Sequence, residues 1–197
     1  MGKGRMEAFS DGVMAIIITI MVLEMKVPHG EILASLQPLI PVFISYVLSF
    51  VYVGIYWNNH HHMLHAAQHV NGKVLWANTH LLFWLSLVPF VTGWMGENHF
   101  SARPVALYGF VLLMCGTAYT ILAFALSRLH GPNSTIAIAF GSDQKGKLSM
   151  LFYIIGIGLS FVHAWAGLLC YVMVACMWFI PDRRIENLVV QKKDSHT

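Results

Sequence analysis

The chain has 197 residues, of which 57% are hydrophobic and 11% charged, with a formal net charge of +3 and a mean hydropathy of +0.63. That balance excludes an ordinary soluble domain, and the sparse basic residues form no aromatic-interleaved surface suited to nucleic acid. No Walker A, GxSxG, CxxC or dinucleotide signature is present, so the chain reads as an all-α integral membrane protein and not as an enzyme.

The first predicted span covers residues 6–26. Its uninterrupted apolar part, from Gly12 to Leu23, is too short for the roughly 20 residues that cross a hydrocarbon core, so the span must include Phe9, Ser10 and Asp11. Ionisable groups at that depth are costly unless they face protein or water, and Arg5, Glu7 and Asp11 therefore predict a polar network at this end of the helix. The simpler account has Arg5 and Glu7 snorkelling to water. Further along, Ile16, Thr19, Ile20 and Leu23 fall at i, i+3, i+4 and i+7 and share one stripe. Spacing alone leaves that stripe open to a packing role, with the threonine bonded back to its own backbone.

The second span is expected over residues 32–60, with Pro38 and Pro41 in its opening turns and Pro28, His29 and Gly30 breaking the chain before it. It leads into a histidine-rich stretch containing His60, His61, His62, His65 and His69. On a continuing helix, His61, His65 and His69 would sit at i, i+4 and i+8, a spacing able to hold zinc, although neither a flanking carboxylate nor HExxH accompanies them. The economical reading places the end of this antiparallel helix level with Arg5 and Asp11, where Trp57 and either His60 or His61 would complete the polar network. Imidazoles there would also make the protein responsive between about pH 5 and 8.

Two further spans follow over residues 74–96 and 104–128. The apolar stretch after them is too long for one span and short for two, and reads as a hairpin of residues 147–161 and 163–180 before a cytoplasmic tail, 182–197. Residues 1–181 thus form a single six-helix transmembrane domain. With both termini cytoplasmic, ten of the twelve basic residues lie inside, leaving Lys26 and Arg103 outside. Five spans would lower the inner count to six of twelve, which favours six. The cysteines Cys115, Cys170 and Cys176 fall within spans, and no disulfide is expected.

The string RMEAFSDGVMAIIITIMVLEMKVP, from Arg5 to Pro28, resembles the first-helix signature of the transmembrane protein 175 family of endosomal and lysosomal potassium channels and their bacterial relatives. Arg5, Phe9, Ser10, Asp11, Ala15, Ile16 and Thr19 stand in register with it, and YWNNHHHM, LFWLSLVPF and IPDRRIE extend the likeness along the chain. The resemblance implies a cell-membrane, multi-pass potassium channel, without cofactor, in which a chain bearing one six-helix repeat assembles as a homotetramer. The first helices would line the pore. Ile16 would form its narrowest hydrophobic ring, Ile20 and Leu23 outer rings, and Thr19 a hydroxyl ring, while Arg5, Phe9, Ser10, Asp11, Trp57 and His60 or His61 hold the helix in place.

No TVGYG-like carbonyl filter is present, so side chains must select the ion. An isoleucine ring offers no ligand, and an ion crossing it sheds water uncompensated. Potassium, being the more easily dehydrated ion, is favoured over sodium. A proton channel of the same architecture and a histidine-cluster metal-binding protein are the competing readings.

Overall fold

The computed structural model describes residues 2–140 and 143–179, with the side chains of Ala139 and Phe140 left aside. The expected tail, residues 182–197, lies outside them. The described chain is helical: α1 Lys3–Leu23, α2 Ile40–Ala66, α3 Gly72–Ser86, α4 Val88–Glu97, α5 Ala102–His130, α6 Thr135–Phe140, α7 Gln144–Ser160 and α8 Ala164–Phe179. A 3-10 helix, Leu33–Leu39, leads into α2.

Four continuous stretches among these are long and apolar enough to cross a membrane: Lys3–Leu23, Leu33–Ala66, Gly72–Glu97 and Ala102–His130. The third is interrupted. Pro89 has no amide to donate to the carbonyl of Leu85, so the ladder slips to Leu87 N–H donating to Trp84 O (3.2 Å), and α3 gives way to α4. At the break Ser86 donates its hydroxyl to Phe83 O (2.7 Å), and within α4 Thr92 donates to Val88 O (2.7 Å) and shares a 2.6 Å hydrogen bond with Ser49 of α2.

The long helix α5 forms the middle of the bundle, packing against α3, α4, α6, α7 and α8. Its buried residues run from Pro104 to Leu126 on all but a narrow side. Tyr108 of α5 meets Ser49 at 3.0 Å, and Tyr52 of α2 donates to Tyr171 O of α8 at 2.6 Å, so hydroxyl groups cross-link α2, α4, α5 and α8 inside the apolar core. Such bonds are retained where the alternative is an unsatisfied polar group in hydrocarbon. Among the described residues, every buried side-chain nitrogen and oxygen has a partner.

Helices α7 and α8 form a tight hairpin through Phe161–His163. Small residues permit it: a Cβ at Gly156 would lie 3.2 Å from Gly167 O, and one at Gly167 would lie 2.6 Å from Gly156 O. Gly109 of α5 serves the same end, because an added Cβ would collide with the Tyr171 hydroxyl. The two helices are 17 and 16 residues long.

Candidate functional site: the first helix and its supports

One side of α1 is packed and the other is not. Met6, Ser10, Met14, Ile17 and Met21, at i, i+4, i+8, i+11 and i+15, are buried against α2, α3 and α4. Met side chains suit this seam because their unbranched chains fit irregular gaps. On the opposite arc Ile16 is 58% exposed, Ile20 41% and Leu23 77%, with Arg5, Gly12 and Thr19 also uncovered. The stripe from Ile16 to Leu23 extends about 10 Å along the axis at 1.5 Å per residue.

Within that stripe, Thr19 Oγ1 donates to Ile16 O at 2.9 Å. This is the back-bond that sequence spacing left open. It has a chemical consequence: the hydroxyl proton is committed to the helix, so the oxygen presents lone pairs outward. Ile16 and Ile20 also border an open groove of about 550 Å³ between α1 and the Pro-interrupted α3–α4 segment, walled by Pro89, Phe90 and Trp94. Beyond it, Lys26 pairs with Glu97 at 3.2 Å, linking the chain after α1 to the end of α4.

The polar residues below the stripe divide into two arms. In the exposed arm, Trp57 of α2 donates its indole N–H to Asp11 Oδ1 at 3.1 Å, and His61 stacks one turn away on the Trp57 ring, with centroids 6.2 Å apart and planes inclined by 27°. In the buried arm, Ser10 donates to Met6 O (2.8 Å) and accepts from Asn78 Nδ2 (2.9 Å), while Asn78 Oδ1 lies 2.8 Å from His60 Nε2. Because an amide oxygen only accepts, His60 Nε2 carries the proton. Ser10, Asn78 and His60 are all buried and join α1, α3 and α2.

The sequence left open which histidine meets the network, and the two histidines take different arms. His60 joins α1 through Asn78, and His61 joins through Trp57. Asn78 was not among the expected residues, although the polar trio of Asn78, Thr79 and His80 in WANTHLLF carried a signal, since a polar side chain in a span needs a partner. Arg5 makes no hydrogen bond or ion pair within the chain among the described residues, and Phe9 is exposed beside it. At the start of α1, Lys3 pairs with Glu7 at 3.7 Å and approaches His65 O at 3.5 Å.

The expected zinc spacing does not survive the end of α2 at Ala66. His61 and His65 remain stacked on the helix, with ring centroids 6.1 Å apart, but His69 lies in the following connection against His130, 4.7 Å away. Among the described residues, no group of three His, Cys, Asp or Glu side chains is placed to hold a metal ion.

Comparison with known proteins identifies the family to which this helical bundle belongs. A family model described as the endosomal/lysosomal potassium channel TMEM175 matches residues 5–89, which hold nearly all of α1, the whole of α2 and α3, and the proline that interrupts the third span. A protein described as a potassium channel from Chryseobacterium sp. (strain P1-3) is 55% identical over 187 residues, covering 95% of this chain and 97% of the relative. Another potassium channel, from Streptomyces collinus (strain DSM 40733 / Tue 365), is 32% identical over 173 residues and covers 82% of this chain and 84% of its own. Among solved structures, the crystal structure of a lysosomal potassium-selective channel TMEM175 homolog from Chamaesiphon minutus superposes with a TM-score of 0.78 at 26% identity, covering 90% of this chain and 96% of that one. Identity at this level along nearly the whole length settles the relationship: the chain belongs to the TMEM175 family of membrane channels.

Proposed function

We propose that this chain is one subunit of a homotetrameric potassium-selective channel, with α1 of each subunit lining a central pore. Each subunit would contribute six transmembrane spans, with α3 and α4 together forming one and α7 and α8 the last two, and both termini on the cytoplasmic face of the cell membrane. The observation that carries this reading is the two-sidedness of α1. Its packed stripe fastens it to α2, α3 and α4, while Ile16, Thr19, Ile20 and Leu23 stay uncovered on a face shared with Arg5 and Gly12. A helix face meant only for lipid has no use for a guanidinium, a glycine and an outward hydroxyl oxygen on one line.

In the assembled channel, the Ile16 ring sets the barrier, because four isoleucines remove water from an ion and return no ligand. Thr19 lies one turn outward, and its hydroxyl oxygens, freed as acceptors by the bond to Ile16 O, meet the partly dehydrated cation. Ile20 and Leu23 extend the narrow apolar segment, which closes by dewetting when its radius falls. Asp11 and Ser10, held by Trp57 and by Asn78 with His60, keep the rotational setting of α1 fixed about a turn and a half below Ile16. The groove beside Ile16, bordered by Phe90 and Trp94, is the seat for the neighbouring subunit. Names of the relatives support potassium as the permeant ion.

The test is cation flux in liposomes containing purified wild type or Ile16→Asn. Potassium flux above sodium flux in wild type, with sodium flux raised relative to potassium in the variant, is the expected result. A proton current that persists without potassium and is unchanged by Ile16→Asn would replace this reading with the proton-channel alternative, and equal behaviour of the two proteins for every ion would remove α1 as the filter.

A further inference from the structure

The α2–α3 connection, between Ala66 and Gly72, has few backbone partners of its own, and a side chain from another helix supplies them. His130 ends α5, immediately before Gly131, whose φ of 84° turns the chain away. Its Nδ1 lies 2.9 Å from Leu126 O, and its Nε2 lies 3.0 Å from Gln68 N and 3.4 Å from His69 N. A carbonyl only accepts, so Nδ1 carries a proton. Amide N–H groups only donate, so Nε2 must be the bare, accepting nitrogen. Every contact of the ring therefore specifies one species, the neutral Nδ1–H tautomer.

A second proton on this ring has nowhere to go. It would occupy Nε2, abolish both acceptor bonds and set an imidazolium against two amide hydrogens. Around this corner, the titratable or charged groups are His69 in the connection, His65 in the last turn of α2, Lys3 at the start of α1, which approaches His65 O at 3.5 Å and pairs with Glu7, Lys73 in the first turn of α3 and Arg128 on α5 itself; α6 has none. Of these, His69 faces the His130 ring directly, with centroids 4.7 Å apart, and its own protonation would add a like charge. Arg128 is turned to the Phe124 ring, 5.2 Å away. Among the described residues, no carboxylate pairs with His130 to stabilise its charged form.

We propose that His130 is an acid-released latch, which pins the α2–α3 connection to the end of α5 when neutral and frees it when protonated. The connection joins the two helices that hold α1, since Trp57 and His60 lie on α2 and Asn78 on α3. Release therefore loosens the supports of the first helix at the end of the bundle where α1 begins. The stripe of Ile16, Thr19, Ile20 and Leu23 takes no direct part, so the latch stands or falls separately from the pore assignment.

Hydrogen–deuterium exchange at the Gln68 and His69 amides, measured on the full chain in lipid nanodiscs at pH 8 and pH 5 and corrected for intrinsic rates, tests it. In wild type the opening constant of these amides rises by at least about tenfold on acidification, the size of one lost proton-linked restraint over more than one pH unit. His130→Gln keeps an acceptor oxygen that does not titrate, and its opening constant stays within twofold across the same range. His69→Gln retains the wild-type response. A wild-type ratio below twofold overturns the proposal, and so does a His130→Gln response equal to wild type, which would assign the change to another group.

Discussion

Replacing Asn78 by leucine examines the buried support of α1 most sharply. Leucine nearly preserves volume, so the change removes polar contacts without opening a cavity. Two hydrogen bonds are lost, at 2.8 and 2.9 Å, and the consequences for their partners differ. Ser10 still donates to Met6 O, whereas the His60 Nε2–H is left buried with no acceptor. Interhelical hydrogen bonds within membranes average about 0.6 kcal/mol, which sets a floor of about 1.2 kcal/mol for the pair. An orphaned buried donor adds about 1–3 kcal/mol, placing the total near 2–4 kcal/mol.

The apparent melting temperature in detergent should fall by roughly 5–15 °C, at about 2–4 °C per kcal/mol for a chain of this size. Replacing both partners, in Asn78→Leu with His60→Leu, removes the orphan and should be less damaging than the single change. Potassium-over-sodium flux in liposomes should decline with Asn78→Leu as α1 loses its rotational setting. An Asn78→Leu protein that melts within 2 °C of wild type, or a double variant whose loss is the full sum of the two singles, would refute the reasoning.

Other consequences are more local. Trp57→Phe keeps an aromatic ring for His61 to stack on but deletes the N–H that meets Asp11, and should cost about 0.5–1.5 kcal/mol, read as a shift in thermal midpoint. Thr19→Val removes the outward oxygen while preserving shape, so potassium flux should persist with a lower potassium-to-sodium ratio; an unchanged ratio would deny the hydroxyl any part in selection. Gly109→Ala forces a Cβ into the Tyr171 hydroxyl and the ring carbons behind it, and should destabilise by about 1–3 kcal/mol, read as a fall in thermal midpoint. His99→Gly, at an exposed residue with φ of 52°, should stabilise by up to about 1 kcal/mol by relieving left-handed strain.

Much of the first helix was legible because its polar residues violate the rule of apolar spans. Asp11 and Ser10 could not be indifferent at their depth, and the three- and four-residue spacing placed Ile16, Thr19, Ile20 and Leu23 together before any neighbour was known. What spacing could not supply was the partner across helices. Asn78 meets Ser10 over a separation of 68 residues, a contact that depends on how α1 and α3 lie against each other. The zinc spacing failed for a local reason: a helix was extrapolated through His69, while the backbone leaves helical geometry at Ala67, whose ψ is 136°. Pro89 was visible in LFWLSLVPF, yet the fastening of the segment after it, where Thr92 of α4 meets Ser49 of α2, belongs to packing. Arg5 stands on the uncovered face, and its expected place in the support network was read from the resemblance, whereas within the chain the network is made by Asp11, Trp57, Ser10, Asn78 and His60.

The account turns on whether the uncovered stripe of α1 faces the ion path. A variant with Cys115, Cys170 and Cys176 replaced and a single cysteine at Leu23 should lose most of its potassium flux in liposomes when a cationic, membrane-impermeant thiol reagent is added from the outside. The same reagent on a single cysteine at Phe43, an exposed position on α2, should leave flux intact. Equal insensitivity at both positions, with modification of Leu23→Cys verified by mass, would contradict a pore lined by α1.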